Sequence, residues 1–278
     1  VGIPGTQMPA FSDPKSKKKL SIEERWHVAN FVASLAKTVE VVNPSKTVII
    51  AAKVEGALPA KIDDPKWAEA APVTFVLVPQ IIAEERFFTP AHDTITARAF
   101  YNDEALAMLL EWDDRTKSTP GDDKAAQIAD EELTPDIVAV QLPLTIPVSQ
   151  EKPYFLMGDK AKPVNIWRWT SGGKGEAESV TLANATGPYE FEERDAAKTG
   201  LKASGSYKDG TWRVLMTRPL HTEDTAGDLQ FEEGRFIPVA FANWDGSNSE
   251  TASSHTVTTW YWLLHEPSTG TRPLITAL

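Results

Sequence analysis

The feature that most constrains this chain is a succession of short apolar or alternating runs, each closed within a few residues by glycine, proline, asparagine or aspartate. The runs are Thr47 to Val54, Val73 to Ile82, Thr94 to Tyr101, Leu106 to Trp112, Val138 to Leu142, Asn165 to Thr170, Gly210 to Arg218, Ile237 to Trp244 and Thr256 to His265. They are too short and too rich in β-branched and aromatic residues to read as buried helices, and Trp212-Arg213-Val214-Leu215-Met216-Thr217 shows the alternation of a half-buried strand. Strands this frequent, with turn clusters between them, predict a mainly β chain folded as an antiparallel sandwich. The intervening stretches 118–135 and 171–209 are polar and charged and read as long surface loops. We expect this β domain to cover residues 38–278.

Residues 1–37 read as a separate unit. The opening Gly2-Ile3-Pro4-Gly5-Thr6-Gln7-Met8-Pro9-Ala10-Phe11 is too rich in glycine and proline for regular structure. After the basic run Lys15 to Lys19, Ser21 and Glu24 form the capping-box pattern of a helix start, and Trp26, Val28, Ala29, Val32 and Leu35 follow at helical spacing. This loop and helix resemble the C-terminal part of a class I cytochrome c, whose axial methionine sits in a G-x-x-M-P-x-F loop. The resemblance makes Met8 a ligand of a c-type haem iron only if an upstream attachment segment exists. The start at Val1 rather than Met reads as a processed or truncated product.

Composition excludes several function classes. The chain has no cysteine, which removes disulfides, zinc–thiolate sites, iron–sulfur clusters, thiol nucleophiles and the C-x-x-C-H that attaches haem c. A net charge of −11 opposes a sequence-independent grip on nucleic acid or anionic lipid, and no stretch is long and apolar enough to span a bilayer. His27, His92, His221, His255 and His265 show no close metal-ligand spacing, and neither G-x-S-x-G nor a nucleotide-binding glycine motif is present. Carboxylate pairs such as Asp113-Asp114 and Glu131-Glu132 read as solvated faces, leaving a glycosidase-like hydrolase little support.

What remains is an ordered set of motifs. They are Phe100-Tyr101-Asn102-Asp103 with Trp112-Asp113-Asp114, Gln141-Leu142-Pro143, Pro153-Tyr154-Phe155-Leu156-Met157-Gly158-Asp159 and Pro163-Val164-Asn165-Ile166-Trp167-Arg168-Trp169. Gly210-Thr211-Trp212-Arg213-Val214-Leu215, Arg218-Pro219-Leu220 and Ala240-Phe241-Ala242-Asn243-Trp244-Asp245-Gly246-Ser247-Asn248 follow. Together they resemble the ethylbenzene dehydrogenase haem-binding family, the γ subunits of periplasmic molybdoenzymes. The resemblance implies a β-sandwich enclosing one non-covalent haem b, held by a methionine and, typically, a lysine. It makes the chain an electron-transfer subunit, not itself catalytic, relaying electrons between a partner's iron–sulfur clusters and a soluble c-type cytochrome beside a molybdopterin catalytic subunit.

The family methionine carries over to Met157, and a thioether on iron raises its reduction potential. Where the family lysine is expected, this chain reads Ser253-Ser254-His255-Thr256-Val257. His255 is the candidate second ligand, because a neutral imidazole needs no costly deprotonation. Lys53, Lys160 and Lys162 stay in reserve. Arg168 and Arg218 are candidates for the haem propionates, since guanidinium forks match carboxylates. Trp167 and Trp169 are candidates to line the pocket. The competing reading is a carbohydrate- or ligand-binding β-sandwich without haem.

Overall fold

The computed structural model describes residues 20–35, 43, 46–122, 132–149 and 151–267. The chain divides into two compact units, Val1–Val41 and Val42–Leu278. In the first, helix α1 spans Ile22–Leu35. Its start carries the expected reciprocal cap: the Glu24 N–H donates to Ser21 Oγ (3.1 Å) and the Ser21 N–H to Glu24 Oε2 (2.7 Å). Two amides at the helix entrance thereby gain partners. Met8 lies outside the described residues. No helix among the described residues is long and apolar enough to cross a membrane.

The second unit is built from strands β1 (Val48–Lys53), β2 (Val73–Val76), β3 (Val78–Pro79), β4 (Thr94–Tyr101), β5 (Ala105–Asp113), β6 (Ile137–Pro143) and β7 (Val164–Thr170). They are followed by β8 (Ser179–Ala185), β9 (Phe191–Arg194), β10 (Lys202–Lys208), β11 (Thr211–Pro219), β12 (Phe236–Trp244), β13 (Thr256–Val257) and β14 (Tyr261–His265). Their hydrogen-bonded order is β10-β11-β5-β4-β1-β14-β12-β6-β7-β8-β9, with β2 on β4 and β13 between β12 and β3. Pairing is antiparallel except at β1, which runs parallel to both neighbours. Two strands change partner partway and so turn the sheet over on itself. β1 pairs with β14 through Val48 to Ala51, then with β4 at Ala52 and Lys53. β12 pairs with β14 through Phe236 to Val239, then with β6 from Ala240 onward. Switching strands of this kind make the corners of a sandwich.

Alternation assigns the faces. Ile95, Ala97 and Ala99 of β4, Leu106, Met108 and Leu110 of β5, and Val214 and Met216 of β11 meet Val138 and Val140 of β6, Trp167 and Trp169 of β7, and Val239 and Phe241 of β12 in one closely packed core. The space between the two halves is therefore filled with side chains. Trp112, Trp169 and Trp212 pack edge-on and stacked at its centre, with ring centroids 5.0 to 6.4 Å apart.

The stretch 171–209 differs from expectation, because it holds β8, β9 and β10 rather than only surface loops. Its strands lack an apolar alternation for local reasons. Gly205 of β10 lies against the Trp169 ring, where an added Cβ would stand 2.1 Å from Cζ2, so no larger residue fits. On β8, Leu182 enters the core while Thr181 and Ala183 face a cavity on the opposite side.

Candidate functional site

That cavity, of about 510 Å³, lies on the outer face of the β12-β6-β7-β8 half. Its volume falls within the ~300–1,000 Å³ of small-molecule and cofactor pockets. The floor is made by residues alternating with the core set: Ala139 and Gln141 of β6, Ile166 and Arg168 of β7, Thr181 and Ala183 of β8, and Ala240 and Ala242 of β12. Four alanines on neighbouring strands leave a flat apolar bed where longer side chains would fill the space. The site thus sits outside the sandwich core rather than between its halves.

One wall is the turn carrying Met157. Trp260 Nε1–H donates to Pro153 O (2.9 Å) at its start, and Gly158 N–H returns to Tyr154 O (2.9 Å) at its end. Gln141 clamps the middle: its Nε2 donates to Phe155 O (2.9 Å), and its Oε1 accepts the Met157 N–H (3.1 Å). Gly158 has φ +71, and a Cβ there would meet Lys162 O at 2.8 Å. Met157 is itself left-handed, at φ +60. For a residue with a Cβ this costs ~1–2 kcal/mol, which the surrounding hydrogen bonds sustain. The backbone is thus held in an unfavourable state that leaves the thioether lining the cavity.

The other wall is the loop before β13. Gln80 accepts the Ile82 and Ala83 N–H groups on Oε1 and donates from Nε2 to Ser253 O (3.0 Å), tying the loops 80–83 and 252–255 together. Its own N–H donates to His255 O (2.9 Å). The His255 ring stacks on Trp244 with centroids 4.4 Å apart. Burial pushes the imidazole down to about 4, opposed in part by the backbone carbonyls of Ala252 and Ser253, so it is neutral at pH 7. Its Nδ1 is buried with no hydrogen-bond partner.

The structure therefore brings Met157, His255 and Arg168 around one cavity. Arg168 is half exposed and stands 3.8 Å from Glu193, another lining residue. The other candidates lie elsewhere. Trp167 and Trp169 alternate with Ile166 and Arg168 and so point into the core. Arg218 is fully buried there: it donates to Leu229 O (2.9 Å), lies 3.9 Å from Asp228, and sits over the Trp167 and Phe231 rings. Among the described residues, no lysine lines the cavity. Lys53 pairs with Asp103 and Glu233, Lys160 with Glu190, and Lys162 with Glu151. Gln80, Ala139 and Ala183 escaped the sequence reading. Gln141 stood in Gln141-Leu142-Pro143, and Ala240, Ala242 and Trp244 in the segment Ala240 to Asn248, without being assigned individually to the site.

The residues fit a haem. A thioether and a neutral imidazole are iron donors, one imidazole nitrogen is buried without a partner, and the floor is largely apolar.

Comparison with known proteins gives four matches. The family model described as ethylbenzene dehydrogenase matches residues 64–200 and 178–256. The chain is 29% identical over 169 residues to the "Putative respiratory nitrate reductase heme subunit ORF7" of Haloferax mediterranei, covering 61% of this chain and 55% of that one. It is 30% identical over 178 residues to the chlorate reductase subunit gamma of Ideonella dechloratans, covering 63% and 66% respectively. The match thus spans about half to two thirds of these relatives' own length. Among solved structures, a family 9 carbohydrate binding module from Caldicellulosiruptor kristjanssonii, in complex with glucose, aligns over 81% of this chain and 99% of its own. Its TM-score is 0.44 at 11% identity.

Proposed function

The chain belongs to the ethylbenzene dehydrogenase family, and from that premise we propose that it is the haem-b-carrying, non-catalytic γ subunit of an extracytoplasmic molybdoenzyme complex. The observation that carries this reading is the single cavity lined by Met157 and His255 over a bed of alanines. A relative named as a haem subunit supports it.

Haem b supplies one-electron chemistry when bound. The chain's own groups do the rest. His255, kept neutral by burial, offers a lone pair without first losing a proton. The Met157 thioether, a soft donor, favours the reduced metal and raises the potential. The apolar floor excludes water, and Arg168 at the rim supplies positive charge for carboxylates. The proposed partners are a molybdopterin catalytic subunit, an iron–sulfur subunit and a soluble c-type cytochrome, in the periplasm. A second, c-type haem ligated by Met8 would require an upstream attachment segment.

The test is spectroscopic. Protein from its native host shows a Soret band, and acidified organic solvent extracts the pigment. Near-infrared magnetic circular dichroism places the ferric charge-transfer band at the methionine–histidine position, and His255→Ala abolishes it. A methionine–lysine band that His255→Ala leaves unchanged refutes the ligand assignment. Absence of any haem refutes the function and returns the chain to the class of ligand-binding sandwiches.

A further inference from the structure

A second cluster of polar groups lies on the face of β12 opposite the cavity, where Asn243 and Asp245 alternate with Ala242 and Trp244. His92, Asp114 and Asp245 are 5%, 3% and 1% exposed, and one ligand atom from each lies within 4.8 Å of the others. The two aspartates use one oxygen apiece on their own loops. Asp114 Oδ1 accepts the Thr116 N–H (2.9 Å) and Asp245 Oδ1 the Ser247 N–H (2.8 Å). Their Oδ2 atoms stand 3.4 and 3.8 Å from His92 Nε2.

On its other side the ring bonds through Nδ1 to Asn243 Oδ1, an acceptor, so Nδ1 carries the hydrogen. In a neutral ring that leaves a lone pair on Nε2, aimed at two carboxylates. Apart from facing each other at 3.4 Å, neither His92 Nε2 nor Asp114 Oδ2 has a hydrogen-bond partner. Asp136 and Glu250 are buried beside them, so four carboxylates share this end of the core with one histidine. One imidazolium would cancel a single charge; a dication cancels two.

We propose that His92, Asp114 and Asp245 hold a divalent transition-metal ion of the zinc type. Donors about 2.1 Å from a tetrahedral ion lie about 3.4 Å from one another, which the Nε2–Oδ2 separations approach. The imidazole donor selects against magnesium and calcium, which take oxygen ligands. Asn243 is the outer partner that fixes the tautomer and aims the ring. The ligands come from the loop before β4, the loop after β5 and the loop after β12, so the ion staples three loops at one end of the sandwich. It is separate from the haem pocket and holds whether or not that pocket binds haem.

The site is closed, so the ion enters during folding. The full chain is unfolded in urea with a chelator, then refolded with Zn²⁺, Co²⁺, Mg²⁺ or Ca²⁺ and desalted. The expected result is one equivalent of Zn²⁺ or Co²⁺ per chain, visible d–d absorption of low-symmetry Co²⁺, and no retained Mg²⁺ or Ca²⁺. His92→Gln and Asp245→Asn lose the equivalent, while a His221→Gln control keeps it. Should the variants fail to fold, the Co²⁺ spectrum of the unaltered chain decides. Retention of less than half an equivalent by the unaltered chain, equal retention by His92→Gln, or Co²⁺ bound without a d–d spectrum overturns the proposal and leaves His92 as a buried imidazolium.

Discussion

Replacing His265 with phenylalanine removes a pH dependence that the structure makes calculable. His265 is fully buried between the Tyr101 and Phe231 rings, at centroid distances of 4.7 and 5.2 Å, and neither ring nitrogen has a hydrogen-bond partner. Burial pushes its imidazole down to about 4, opposed only in part by Glu233. The unfolded chain protonates near 6.5, so between these values the unfolded state binds more protons. Stability is therefore full above pH ~6.5 and is lost as pH falls towards 4. From pH 7.5 to 5.0 the linkage integral gives a loss of about 2 kcal/mol from this residue alone. Phenylalanine keeps the stacked ring and does not titrate. The assay is urea unfolding of both proteins at the two pH values, each as a two-state transition. Other titrating groups cancel in the double difference, as does any packing cost of the larger ring. The expected double difference is about 2 kcal/mol in favour of the variant at pH 5.0. If both proteins lose equal stability, the imidazole is solvated or partnered in the folded state and the reasoning fails.

Three further expectations concern the site and its support. Met157→Gly relieves a left-handed backbone cost of ~1 kcal/mol while losing half-buried contacts, so the melting temperature of the haem-free protein shifts by only a few degrees. In the haem-loaded protein the same change lowers the reduction potential, read by spectroelectrochemistry. Arg218→Met strips a cation from the core but leaves Asp228 paired with Arg194, so unfolding midpoints move while the potential stays; Arg168→Gln does the reverse. Gly205→Ala drives a methyl into the Trp169 ring and destabilises the fold by about 1–3 kcal/mol in urea titration.

Legibility in the sequence tracked whether a residue's partner lies within the chain. Thr94 to Tyr101 was readable to its ends because both faces of β4 pack on protein. β8 was not, because its outer residues Thr181 and Ala183 line the cavity and show no apolar alternation. Met157 and His255, each singled out in the sequence, stand on two walls of one cavity. Arg218, Trp167 and Trp169 were drawn to the site by the same motifs, yet Arg218 and Trp167 meet each other in the core. Sequence order cannot tell which face of β7 a side chain takes until the register is fixed, and one step in register exchanges Trp167 for Arg168. The His92 cluster was invisible because its members arrive from three loops far apart along the chain.

The partner switches in β1 and β12 have a consequence for the order in which the molecule is assembled. With both corner strands shared between the halves, the interior closes as one unit and cannot part without breaking β1 or β12. Among the described residues, the cavity walls are drawn largely from the turns around 80–84, 155–157, 188–189 and 252–255, with Phe191 and Glu193 of the edge strand β9. The planar haem proposed for this cavity would therefore enter or leave by displacing turns and the edge of β9, without parting the core strands. On the proposed haem-binding reading, loading of the pocket and folding of the sandwich would then be separable events.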